Sequence, residues 1–213
     1  MNDSKVGLLR DSSDAADDFE ELRRRFTANG HLYMKGYLDR GEVLAARASL
    51  TERLAAEGVL DASRPHLEGF AAPGARYAFK PEVTNHNPVV QNLLYAGRLA
   101  EFYRQFFGEE IRHYDFTWLR AIGPGKGTNP HCDLPYMGRG THHHMTCWLP
   151  YGDISFELGG LMVLEGSHRR MDLLERYVFR DVDAFCENKP NQAANAKAGK
   201  WSFSGTLSHN PPM

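Results

Sequence analysis

A chain of 213 residues, 42% hydrophobic and 24% charged, has the length and composition for one domain with a substantial core, and it is not the composition of a disordered chain. Its net charge of −2 argues against nucleic acid or another large polyanion as a partner. No apolar run reaches membrane length, the N-terminus carries no apolar segment, and Cys132, Cys147 and Cys186 are an odd set without paired spacing, which together predict a cytoplasmic protein with reduced thiols and no membrane association.

Residues 1–18, rich in Asp and Ser, read as a flexible leader, with a single domain from 19 to 213. Asp17 and Asp18 then open a helix through Phe19, Leu22 and Phe26 that Gly30 ends. His31 to Leu38 has the alternation of a short strand, and Asp39 caps a second helix carrying Val43, Leu44, Leu50 and Leu54 as far as Gly58. From Asp61 to Pro88 repeated Pro and Gly break any period, so the sequence predicts a long loop of the kind used as a lid, with a short strand near Arg76 to Phe79. Asn87-Pro88 leads a helix from Val89 to Phe107 that buries Val90, Leu93, Leu94, Leu99, Phe102 and Phe106 and stops at Gly108. Strands are expected at Ile111 to Ile122, Met145 to Tyr151 and Gly160 to Leu164, with Tyr114 and Trp118 in the core or on a sheet face, and Arg170 to Glu187 has a helical pattern. Helices first and strands afterwards predict an α+β fold in which mainly antiparallel sheets form a barrel-like sandwich with the N-terminal helices packed on one sheet.

The chemistry concentrates after the Gly/Pro-rich approach of residues 123–130, at His131-Cys132-Asp133. In an extended chain residues two apart point to the same side, so the imidazole and the carboxylate share a face and Cys132 turns away. That is two-thirds of a 2-His-1-carboxylate set, which suits Fe(II) because it leaves coordination positions open. In Thr141-His142-His143-His144-Met145 the same alternation keeps the three imidazoles from converging on one ion, leaving His144 or His142 as a substrate-side acid or hydrogen-bond donor. Tyr136 is placed to meet a substrate, and Arg139, Lys126, Arg76 and Lys80 are candidate contacts for a substrate anion. Two other readings stand beside the iron one: a zinc hydrolase using His131, Asp133 and His144 with a bound water, and a non-catalytic barrel that binds a small molecule or a metal.

The HxD turn after its Gly/Pro loop, the stretch HMTCWLPYGD, the segment GGLMVLEGSH and the early GYLDRGEV resemble the phytanoyl-CoA dioxygenase family of Fe(II)/2-oxoglutarate oxygenases from about His31 to the end of the chain. The resemblance implies a double-stranded β-helix, a jelly-roll or cupin-like barrel, with the metal near one mouth. It implies His131 and Asp133 as iron ligands, Trp148 lining the 2-oxoglutarate side of the pocket and Thr146 reaching the co-substrate's carboxylate. The family supplies its distal histidine and a 2-oxoglutarate-binding Arg from late strands, so the chain reads as ending before them, with the last core strands missing. His209 is the in-chain candidate for the third ligand, while His168 matches a histidine that anchors its own turn. The implied partners are molecular oxygen and a small organic substrate, from a family range spanning acyl thioesters, amino acids, natural products and alcohols. The family's halogenases lack the carboxylate found here at Asp133, so its presence implies hydroxylation or a related desaturation or cyclisation, and not halogenation.

Overall fold

The computed structural model describes residues 6–75, 81–114, 117–122, 127–137 and 143–178. The chain divides into two compact units, one made of Met1–Tyr33, Thr128–Leu149 and Gly159–Met213, the other of Met34–Gly127 and Pro150–Leu158.

In the first unit, α1 (Phe19–Asn29) starts where the Asp18 carboxylate accepts from the Glu21 N–H at 3.0 Å and stops at Gly30, which is left-handed at φ +76° and donates to the Phe26 carbonyl. Gly30 is required twice over, since a Cβ there would lie 2.3 Å from His168 Nδ1. The predicted leader is part of this unit from Asp11 onward. Asp11 and Tyr33 form a parallel bridge, Ser13–Ala15 make a 3₁₀ turn, and Ser12 and Ala15 are buried. Asp14 on that turn meets Arg25 of α1 at 2.5 Å, and Glu21 meets the same guanidinium at 2.7 Å. The Arg24 and Arg25 hydrogen bonds hold the Glu21 carboxyl down at about 2. The buried Arg25 cation needs a carboxylate partner, and because one of its two partners lies on the leader, the pairing fixes the leader to the helix.

The same unit holds α6 (Leu134–Met137) and α7 (Met171–Leu173), the latter running into a π-turn at Leu174–Val178. Cys132, Leu134, Leu173, Leu174 and Val178 form one buried cluster with Tyr177 packed on it. Within the helical pattern expected for Arg170 to Glu187, only residues up to 178 are described, and they wind as this wider turn.

In the second unit α2 (Arg40–Ala56) is capped by Asp39, whose carboxylate accepts from the Glu42 N–H, and packs on α4 (Pro88–Tyr95) and the short α3 (Pro81–Thr84). Two of its arginines tie down the predicted lid. Arg47 donates to the carbonyls of Leu67, Glu68 and Tyr151, and Arg53 to those of Val83, Asn85 and His86. The antiparallel bridge Leu60↔Ala71 closes the first part of the loop, whose described residues are therefore anchored at several points. The single helix expected from Val89 to Phe107 is two, α4 and α5 (Gly97–Phe107), because Ala96 is extended and Gly97 takes φ +53°. Winding straight through at 100° per residue would put Phe102 and Phe106 about half a turn from Val90 and Leu93. The break lets both sets be buried.

Among the described residues, pairing of the strand kind is confined to isolated bridges, and 111–114, 117–122, 143–151 and 160–164 form no ladder. A strand needs a run of paired neighbours, and among the described residues these segments have no more than a bridge residue at Val163. Tyr114 and Trp118, expected in the core or on a sheet face, are exposed. The strand expected near Arg76 to Phe79 lies outside the described residues. No helix among the described residues is long and apolar enough to cross a membrane.

Candidate metal centre

His131 and Asp133 come together, and Cys132 between them turns into the buried cluster, as the period of an extended chain requires. Cys132 is 1% exposed and anchors the segment, so the flanking side chains are held on the opposite face, each about one-sixth exposed. His131 Nδ1 lies 2.7 Å from the Asn129 carbonyl oxygen. A carbonyl only accepts, so this nitrogen carries the proton, and Nε2 is the ring's coordinating atom. Nε2 stands 3.2 Å from Asp133 Oδ1. An imidazole nitrogen and a carboxylate facing each other at that distance need a proton or a metal cation between them. Two ligands each about 2.1 Å from an ion and about a right angle apart would lie about 3 Å from one another, so the pair fits a shared octahedral metal.

The carboxylate's other oxygen is also engaged. Asp133 Oδ2 accepts from Thr146 Oγ1 at 2.8 Å, whereas the family resemblance directs Thr146 to a co-substrate. Burial raises the Asp133 pKa, but the His131 and Thr146 hydrogen bonds and the nearby imidazoles outweigh it, leaving the group below its usual value and ionised near neutrality. His144, half-buried, is pushed below the ordinary histidine range by burial, against the opposing pull of Asp133. His144 and Thr146 both act on Asp133, which is again the two-residue period of an extended segment.

The remaining expected residues are placed less closely. Trp148 and Tyr136 are exposed at 49% and 45%. Among the described residues no set of three His, Cys, Asp or Glu side chains is arranged to hold a metal, so the zinc trio of His131, Asp133 and His144 is not formed. His168 is taken up elsewhere: its Nε2 approaches the Thr27 carbonyl at 3.2 Å while Arg169 donates to Thr27 and Ala28, so both side chains satisfy the C-terminal carbonyls of α1. Arg139, His142, Lys126, Arg76, Lys80 and His209 lie outside the described residues. A cavity of about 410 Å³ in the second unit, lined by Asn85, His86, Gln91, Tyr95, His113 and Thr117, includes none of the expected site residues.

Tyr177 is the residue that sequence reasoning missed. Its hydroxyl takes a hydrogen bond from the Cys132 backbone and shares another with Tyr136, and burial first of all raises its pKa to about 12. No motif marks it, because the contact spans 45 residues and is made by the π-turn; the one available signal was a helical pattern dense in apolar residues beside it. A phenol whose folded pKa lies above its usual 10.0 contributes stability that is complete below pH 10 and lost as pH rises toward about 12. Tyr177→Phe is therefore expected to lower stability by about 1 kcal/mol at neutral pH and to flatten the decline in melting temperature above pH 10, as followed by circular dichroism. An unchanged alkaline decline in the variant would show that another group carries it.

Comparison with known proteins adds three findings. The family model described as phytanoyl-CoA dioxygenase matches residues 26–210. The chain is similar to a 1-deoxypentalenic acid 11-beta-hydroxylase of Streptomyces exfoliatus, 27% identical over 172 residues that cover 75% of this chain and 58% of the relative. It is also similar to the protein of the same description from Streptomyces arenae, 26% identical over 176 residues with the same coverage. The chain thus spans under two-thirds of the length of these relatives. No solved structure matches it.

Proposed function

This chain belongs to the phytanoyl-CoA dioxygenase family, and from that premise we propose that it works as a Fe(II)/2-oxoglutarate-dependent hydroxylase acting on an unactivated carbon of a small organic molecule. The observation that supports this reading best is the 3.2 Å approach of His131 Nε2 to Asp133 Oδ1, with Nδ1 committed to Asn129. Iron and 2-oxoglutarate, when bound, supply the activation of dioxygen, converting substrate, O₂ and 2-oxoglutarate into hydroxylated product, succinate and carbon dioxide. His131 and Asp133 would hold the metal as a neutral and an anionic ligand, with a distal histidine as the third. The Asp133 carboxylate keeps a position that a halide would need, which favours hydroxylation.

Around that pair, Trp148 would line the co-substrate, and Tyr136, His144 and Arg139 would meet the substrate. His144, kept neutral by its burial, is suited to a neutral donor or acceptor role beside the anionic ligand. We infer the double-stranded β-helix of the family as the architecture, and a cytoplasmic location from the composition. The two relatives are described as hydroxylases of 1-deoxypentalenic acid, and an organic acid as substrate suits the reading.

Succinate formation from 2-oxoglutarate, measured with and without added Fe(II), tests it. Iron-dependent succinate release in air is expected. Its absence in a protein shown to bind iron would favour the non-catalytic barrel.

A further inference from the structure

Resting on the iron reading above, we propose that Thr146 is a positioning residue for the metal-binding carboxylate and not a ligand of the co-substrate: its hydroxyl holds Asp133 Oδ2 so that Oδ1 is presented toward His131 Nε2.

A threonine hydroxyl has one proton to give. At 2.8 Å from Asp133 Oδ2 that proton is committed, because an ionised carboxylate can only accept. What remains on Oγ1 is lone pairs, and lone pairs repel the carboxylate of an incoming oxo acid. Thr146 can serve one anion or the other. The bond is charge-assisted, and β-branching leaves the side chain few rotamers to lose when it forms.

The geometry shows what the contact accomplishes. The two oxygens of Asp133 play separate parts, with Oδ2 held by Thr146 and Oδ1 facing the imidazole nitrogen that is not bonded to the Asn129 carbonyl. A partial rotation about the Cβ–Cγ bond would break the hydrogen bond and turn the facing oxygen away from His131. His131 is braced in the same way through its other nitrogen. Each candidate ligand thus has one atom tied to the protein and one turned to the shared position, the arrangement by which outer partners raise metal affinity. Residue 146 also comes from a different stretch of chain, so the bond links segment 143–149 to the ligand-bearing turn.

Titration of the whole protein with Co(II) or, anaerobically, Fe(II), in the absence of 2-oxoglutarate, tests this in wild type, Thr146→Val and Thr146→Ser. Val keeps the branched shape and removes the hydroxyl; Ser keeps the hydroxyl. The metal dissociation constant is expected to rise about 10- to 100-fold in Val and to stay close to wild type in Ser, with the ligand-field spectrum of the Co(II) form altered only in Val. Thr146→Ala gives the same comparison should the Val variant fail to fold. Metal affinity unchanged in Val would overturn the proposal, and a reduced 2-oxoglutarate affinity in that variant, measured by a second titration of the metal-loaded protein, would return Thr146 to the co-substrate. No metal uptake by the wild type would instead overturn the iron reading on which the proposal rests.

Discussion

Replacing Asp133 with alanine is expected to weaken Fe(II) binding by well over about 100-fold and to abolish iron-dependent succinate formation. Loss of an outer hydrogen-bond partner alone typically costs about 10- to 100-fold in metal affinity, and Asp133 is a ligand candidate itself. It brings the charge as well as the oxygen. The His131 and Thr146 hydrogen bonds keep its carboxyl ionised against the opposing effect of burial, so the negative charge is in place before any cation arrives. Removing it leaves His131 as the lone anchor of the pair and strands the Thr146 hydroxyl without its acceptor. Asp133→Asn separates charge from shape: it retains an oxygen and the side-chain volume, and it should fail nearly as completely. Anaerobic iron titration of both variants reads the effect directly. Retention of wild-type affinity in Asp133→Ala would remove the carboxylate from the site.

Phe106→Ala is expected to cost about 3–5 kcal/mol of stability and to lower the melting temperature by about 10 °C. Phe106 is fully buried on α5, stacked on Phe102 with ring centroids 5.7 Å apart and edge-on to Phe107 at the same distance. The burial depends on the break at Ala96 and Gly97, which turns the α5 face relative to α4. A rigid helix end capped by Gly108 restricts how far the site can collapse around the void, which places the cost toward the upper part of the range. Calorimetry of the variant measures it. A loss below about 1 kcal/mol would mean that α5 does not carry this core face.

Local rules make the helix ends readable from the sequence. Asp18, Asp39 and Asn87 each accept from the N–H three residues on, and Gly30 and Gly108 adopt the left-handed conformation that ends a helix, so these boundaries are set by neighbours in sequence. The pairing of His131 with Asp133 is legible for the same reason, since alternation over three residues decides which side each faces. What depends on distant residues is not. Arg25 reads as a surface residue of α1 until Asp14, eleven positions earlier, folds back on it, and with it the leader joins the unit. The break between α4 and α5 does leave a trace, in apolar positions that change phase at Ala96, and reading the two halves separately would find it. Alternation also places Thr146 on the face it occupies, but it fixes direction alone and says nothing of which acceptor lies there. Tyr177 has no motif to mark it, as its contact to Cys132 arises only from the packing of the π-turn. His209 and Arg139 fall outside the described residues.

The functional account turns on a ferrous ion binding between His131 and Asp133. Anaerobic Fe(II) titration of the whole protein, with His131→Ala and Asp133→Ala measured beside it, addresses that most directly. A single equivalent of iron taken up by the wild type and lost in both variants is the expected result. Iron uptake that is undiminished in either variant, or no uptake by the wild type, would contradict it.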